Sequence, residues 1–264
     1  MTSNREIIAV GDIHGELDGL LEILRRAELV DGKWRWCGGD RVLVQTGDVI
    51  DRGPRSREAY DLLADLQSQA PKSGGEVVRL LGNHELMVLE RNYRHTNVSD
   101  VPGFRARLEA DVLSGRVKGA HVSRGFLFSH AGVQSRMREM LLGTTTGPSS
   151  VGIADRLADK LNEALLEAVR TDTYTHPCFF SSPSRGGSAT IGGPYWTGGE
   201  GLERSAGADV VRQVVGHTKQ PRIRWNLQGR IFFIDVAIHE GGRGYLRVAD
   251  GDVEPVCWKR GSRT

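Results

Sequence analysis

"EVVRLLGNHELM", Glu76 to Met87, is the stretch that decides the fold. A β-rich apolar run passes through Val77, Val78, Leu80 and Leu81 and stops at Gly82, Asn83, His84 and Glu85. A buried strand that finishes in an amide, an imidazole and a carboxylate must satisfy those groups by hydrogen bonds or use them to hold something. The same pattern occurs twice upstream. "EIIAV" (Glu6 to Val10) runs into Asp12 and His14, and "RVLVQT" (Arg41 to Thr46) runs into Asp48, Asp51 and Arg52. Between these strands Leu17, Leu20, Leu21 and Leu24 recur at helical spacing, and Ala59, Leu62, Leu63 and Leu66 mark one face of a helix over about 57–69. The order βαβαβ predicts a parallel sheet with helices on its faces.

Downstream, "GFLFSHAG" (Gly125 to Gly132) is a strand ending at His130, and "VVRQVVGHT" leads to His217. Residues 91–120 lose periodicity and carry Pro102 and Gly103, which predicts loops or short helices. Leu157, Leu161, Leu165 and Val169 predict an amphipathic packing helix over 155–170. The Gly, Pro and Ser-rich stretch 176–207 is the longest expected loop, and such loops often carry function. "VVRQVVGHT", then "RIRWNLQGRIFFIDVAI", turning at Gln228 and Gly229, and "YLRVADGDVEPV" read as antiparallel strands that close the fold. Trp34 and Trp36 are expected to cover the core, and Arg222, Arg224 and Arg230 to form a solvated face.

The 264 residues suffice for one large α/β domain, and 39% hydrophobic with 26% charged residues is an ordinary soluble composition. Lys plus Arg is 35 against 33 acidic residues, so charge alone argues for neither nucleic acid nor membrane. Cys37, Cys178 and Cys257 are odd in number and far apart, which disfavours a disulfide framework or thiolate zinc site. No secretory leader or long apolar segment occurs, so the expectation is cytoplasmic; the sequon at Asn97 to Ser99 is then a chance match.

Polar clusters thus end five apolar runs: Asp12 and His14; Asp48, Asp51 and Arg52; Asn83 and His84; His130; and His217. Singly, a histidine at a strand end is often structural and an Asp after Gly is often a cap or turn former. Ligands of α/β sheets, however, bind at the carboxyl ends of strands, so five such clusters point to one shared site. The flanking glycines Gly11, Gly15, Gly47, Gly53, Gly82 and Gly216 suit tight turns and close backbone approach. Carboxylates, imidazoles and an amide without thiolate suit manganese, iron or zinc. The set is too large for one tetrahedral ion and fits two ions ~3.5–4 Å apart that share a carboxylate.

In this order, "GDIHG", "GDVIDRG", "GNHE", "SHAG" and "GHT" resemble the metallophosphoesterases, and within them the phosphoprotein phosphatases of the Ser/Thr type. "WCGGDRVLVQTGDVIDRGP" and "GGEVVRLLGNHELM" look most like the Shewanella-like branch, which has relatives in plants and protists. The resemblance implies a calcineurin-like α/β sandwich flanked by helices, with a dinuclear metal site at strand ends and a single catalytic domain over residues 1–264. It implies that Asp12 and His14 bind one metal, that Asp48 bridges, and that Asn83, His130 and His217 complete the site. His84 would be the general acid oriented by Asp51, Arg52 and Asn83 would contact phosphate, and Glu85 would cap or support the following helix. The implied activity is metal-dependent phosphomonoester hydrolysis by direct attack of a metal-bridging hydroxide, with manganese the first candidate. The implied substrate is a phosphorylated protein, on Ser/Thr or Tyr, or a small phosphoester. A diadenosine tetraphosphatase or RNA-cap-cleaving activity is the alternative, and a non-catalytic scaffold a further one. The branch's second phosphate-holding arginine is missing: "GPYWTGG" (Gly193 to Gly199) places Gly198 there, leaving Arg185 or Arg204 to reach in.

Overall fold

The computed structural model describes residues 5–143, 152–205, 211–226, 228–249 and 251–259. Strands β1 (Ile7–Val10), β2 (Val42–Gln45), β3 (Glu76–Leu80) and β4 (Val117–Lys118) lie side by side in parallel. The hairpin β10 (Gly242–Ala249) and β11 (Asp252–Lys259) adds antiparallel to β1, giving a six-stranded sheet of order β11-β10-β1-β2-β3-β4. A second, five-stranded sheet contains β5 (Ala120–Ser123), β6 (Phe126–Ser129), β7 (Arg212–Val215), β8 (Arg224–Trp225) and β9 (Ile231–Phe233), in the order β5-β6-β7-β9-β8.

Alternation along the second sheet makes the sandwich. In β6, Phe126 and Phe128 join the core that holds Ile8, Val44 and Val78 of the first sheet, while Leu127 faces the other way. There it meets Leu157 and Leu161 of α6 (Ile153–Thr171), the amphipathic helix expected over 155–170. In β9, Ile231 and Phe233 likewise turn to Leu202 of α7 (Gly199–Arg204). Each fully buried Leu or Phe contributes about 1.5–3 kcal/mol by leaving water. Helices α1 (Leu17–Arg26) and α2 (Ser56–Gln69) are the expected β-to-β crossovers, burying Leu20, Leu24, Leu63 and Leu66.

Three expectations are corrected. Strand β7 is parallel to both β6 and β9, whereas β8 pairs antiparallel with β9, and β10 antiparallel with both β11 and β1. The chain between β6 and β7 passes through α5 (Ser135–Leu142), α6 and the long loop, which returns it in the same direction. Residues 91–120 hold a 13-residue helix, α4 (Val101–Leu113). Asp100 caps it by accepting from the Gly103 N–H, and Pro102 sits in its first turn, so the Pro-Gly pair marks a helix start. Arg224 is not merely solvated, because it forms an ion pair with Glu203 at 2.7 Å. The stretch 176–207 is mostly irregular, with short 3₁₀ turns at Pro177–Phe179 and Pro183–Arg185 before α7; its last two residues lie outside the described ones.

Candidate active site

All five strand-end clusters meet where the carboxyl ends of β1, β2, β3, β6 and β7 converge. The backbone there is forced: His14, Asp48, Asp51, Arg52 and His217 all have positive φ, between 50° and 71°. Each such conformation costs a non-glycine residue energy and persists only where its surroundings over-determine it. Glu85 supplies much of that determination. Its carboxylate accepts from the backbone N–H groups of Asp48, Val49, Ile50 and Gly82, at 2.8–3.2 Å. It therefore supports its own helix, α3 (Asn83–Leu89), as expected, and also grips the loop that presents Asp48. A Cβ on Gly82 would collide with the Asp48 backbone nitrogen and carboxylate, so only glycine lets the two loops approach this closely.

The imidazoles are oriented by carbonyls. His14 Nδ1 is 2.9 Å from the Ile50 oxygen and His130 Nδ1 is 2.9 Å from the Thr46 oxygen. Carbonyls only accept, so both rings carry their proton on Nδ1 and aim an Nε2 lone pair inward. His130 Nε2 lies 2.9 Å from Asn83 Oδ1, 3.1 Å from His217 Nδ1 and 3.6 Å from Asp48 Oδ1. His14 Nε2 lies 3.5 Å from Asp48 Oδ2 and 3.9 Å from Asp12 Oδ2. Acceptor atoms thus converge with at most one proton, on His217 Nδ1, between four of them. Such a set is completed by cations. His217 Nε2 is buried without a hydrogen-bond partner, and the His217 backbone N–H donates to both oxygens of Asp12.

The electrostatics agree. Burial raises Asp12 well above its usual range, and the neighbouring carboxylates Asp235 and Asp48 push it further up. Burial also acts to raise Asp48, but His130, His84, His14 and His217 outweigh it and hold the carboxyl ionised. His14 is pushed down to about 3 by burial, and His130 and His217 are lowered for the same first reason, so each favours the neutral form that a metal ligand needs. Ligand atoms of Asp48, His130 and His217 fall within 4.8 Å of one another, and so do those of His14, Asp48 and His84, with Asp48 common to both groups.

Proximity groups His84 with the ligands, but its chemistry separates it. His84 Nδ1 is 2.7 Å from Asp51 Oδ2, and Asp51 Oδ1 accepts in turn from the Asn97 N–H. Burial works against protonation of His84, yet Asp48 and Asp51 outweigh it and raise its pKa, which suits a proton donor rather than a metal ligand.

Above the cluster opens a cavity of ≈ 1060 Å³, lined by Asp48, Arg52, Asn83, His84 and His217 and walled by Met87, Glu90, Phe179, Phe180, Arg185 and Trp196. Arg185 therefore faces the site from the long loop, with its guanidinium 3.4 Å from Thr218 Oγ1. Burial lowers its pKa while the Asp12, Asp235 and Asp48 carboxylates act the other way. Gly198 and Arg204 line a neighbouring cavity instead, and Arg204 pairs with Glu200 at 3.7 Å.

Two residues escaped the sequence analysis. Asp235 follows β9 and His239 lies on the turn beyond it; the His239 ring centroid is 4.9 Å from that of His14. The signal for Asp235 was present, since "IFFID" repeats the pattern of an apolar run ending in a carboxylate.

The sequence pattern of the calcineurin-like phosphoesterases matches residues 6–221. The chain is 33% identical over 42% of its length to Shewanella-like protein phosphatase 2 of Arabidopsis thaliana, and 39% identical over 38% to Shewanella-like protein phosphatase 1 of Plasmodium berghei. These matches span 29% and 28% of those proteins. The crystal structure of a cold-active protein-tyrosine phosphatase from a psychrophilic Shewanella species superposes with a TM-score of 0.70 at 21% identity, over 96% of this chain and 80% of that one. At that identity the likeness speaks for the fold. The family pattern runs from the first strand to the loop beyond His217, and the chain belongs to the calcineurin-like phosphoesterases.

Proposed function

We propose that the protein is a phosphomonoester hydrolase that works with two divalent ions, manganese first among them, on phosphorylated protein side chains. The observation that carries this reading is the sharing of Asp48 between two groups of potential ligands, with the His84–Asp51 pair beside them. Asp12, His14 and Asp48 would hold one ion, and Asp48, Asn83, His130 and His217 the other. When bound, the ions lower the pKa of water to make a nucleophile and offset the charge of the phosphate.

The chain's own residues do the rest. Asp51 fixes the proton on His84 Nδ1 and stabilises the imidazolium, so Nε2 donates to the leaving oxygen as the P–O bond breaks. Arg52 and Arg185 flank the cavity and offer planar donor forks to the phosphate oxygens. Arg185 thereby takes the place of the arginine absent at Gly198. The cavity is far larger than a phosphate needs, and Met87, Phe179, Phe180 and Trp196 on its wall suit a peptide or aryl leaving group. The names of the plant and protist relatives support a phosphoprotein substrate. The three cysteines are free, which supports a reducing compartment such as the cytoplasm; no described helix is long and apolar enough to cross a membrane. We read the chain as one catalytic domain.

The test is phosphate release by metal-stripped protein with manganese restored, from an aryl phosphate, phospho-Ser, phospho-Thr and phospho-Tyr peptides, and diadenosine tetraphosphate. Hydrolysis of the peptides but not the dinucleotide is expected. Cleavage of the dinucleotide alone would move the protein to nucleotide chemistry, and inactivity on everything with metal bound would reduce it to a scaffold.

A further inference from the structure

Arg52 is an exposed arginine on left-handed backbone, with φ of 64°. Its hydrogen bond among the described residues is from Nη1 to His239 Nε2, at 3.2 Å. A guanidinium has only donors, so this contact requires His239 Nε2 to be the acceptor and places the ring proton on Nδ1. Glu240 Oε1 also lies 3.2 Å from the same nitrogen. That contact would need a proton on Nε2, so the ring can serve Arg52 or Glu240 but not both. Glu240 has its own cation in Lys219.

The ring is mounted rigidly. It sits on a single 3₁₀ turn, Ile238–Glu240, bracketed by Ala237 at φ 54° and Gly241 at φ 99°. The turn is pinned from beneath by Arg243, a fully buried residue that donates from Nη1 to the carbonyls of Ile238 at 3.0 Å and Gly242 at 2.8 Å. Arg243 is itself held by Glu22 at 2.9 Å and Glu16 at 3.5 Å. The imidazole packs nearly perpendicular to the His14 ring, with 82° between their planes, and its Nδ1 is buried without a partner, so Nε2 is the ring's working atom.

We propose that His239 is a positioning residue for phosphate recognition, taking Nη1 of Arg52 so that the remaining donors of the guanidinium are presented to the phosphate. This rests on the reading of Arg52 as a phosphate-holding group. A long exposed arginine otherwise loses rotamer freedom when it engages ligand, and holding it beforehand removes that loss from the binding step.

The experiment compares parent, His239→Phe, His239→Gln, Arg52→Ala and the Arg52→Ala/His239→Phe double variant, all loaded with manganese. Calorimetry measures binding of inorganic phosphate, and kcat and KM are measured on an aryl phosphate. Phenylalanine keeps the packing on His14 and removes the acceptor, whereas glutamine keeps an acceptor. His239→Phe is expected to weaken phosphate about tenfold and raise KM similarly, with manganese content unchanged. His239→Gln should recover most of that loss, and the double variant should be no weaker than Arg52→Ala. Parent-like phosphate binding in His239→Phe alongside weakened binding in Arg52→Ala overturns the role of His239 alone. Failure of His239→Gln to rescue, or loss of manganese from His239→Phe, overturns it in favour of a packing role. Unchanged phosphate binding in Arg52→Ala overturns the reading of Arg52, and this proposal with it. His239→Ala provides the acceptor-free variant if the phenylalanine protein does not fold.

Discussion

The floor and the wall of the cavity are built on different terms. The floor is the convergence of strand-end loops, where Asp12, His14, Asp48 and His130 are buried and locked by backbone hydrogen bonds, and Asn83 is held beside His130. The wall is the loop around Pro177 to Trp196, where short 3₁₀ turns bury Phe179 against Tyr195 and present the more open Phe180 and Arg185 to the cavity. On the floor each side chain has one workable place. On the wall a guanidinium can come from any loop position that reaches the same space, which is how Arg185 can stand in for an arginine lacking at Gly198.

The largest expected effect falls on the floor. Asp48→Asn removes the charge common to both ligand groups and should lower turnover on the order of 10³-fold or more, with loss of bound manganese measured by elemental analysis. His84→Asn comes next: kcat should fall ~10²–10⁴-fold while manganese content stays at the parental value. Loss of metal in that variant would return His84 to the ligands, where proximity alone had placed it.

The wall should respond more gently. Arg185→Ala is expected to raise KM about tenfold with a smaller change in kcat, whereas Arg204→Ala leaves both at parental values. Equal effects of the two would erase the distinction drawn between the cavities. Glu90 gives the smallest effect. Burial raises its pKa to about 7, above the ordinary value of 4.5. Because the folded value is the higher one, its contribution to stability is complete at pH below about 4.5 and is lost as pH rises through about 7. Glu90→Gln should therefore raise the melting temperature of the metal-stripped protein by about 1–3 °C at pH 8 and not at pH 4. A shift of equal size at both pH values would show that the carboxyl's ionisation is not the cause.

The same contrast explains what was legible in the sequence. Glycine followed by Asp, Asn or His at the end of an apolar run betrayed the floor, because such groups are tolerated there only when something satisfies them. The parallel strands β1 to β3 and their crossover helices followed from periodicity. Helix α4 did not, since Phe104, Leu108 and Val112 form a narrow stripe and the Pro-Gly pair within its first turn looked like a breaker. Strand β7 was assigned the wrong sense because direction depends on the path of the chain through α6, which no local pattern records. Glu85 was recognised as a helix support, but its grip on the Asp48 loop joins residues 37 positions apart. The choice between Arg185 and Arg204 stayed open, and His239 was beyond reach, for the same reason: a loop without periodicity has no register from which to read facing residues. The Asp235 carboxylate was different, for its signal was visible in "IFFID" and lost by treating that run as a closing strand.

The most direct test of the central claim is a manganese titration of the metal-stripped protein, with bound metal and phosphate release from an aryl phosphate followed together. The account predicts two ions per chain, with activity reaching its plateau only as the second is taken up, and Asp48→Asn failing to reach that stoichiometry. Full activity at one ion per chain, or two ions held undiminished without Asp48, would contradict it.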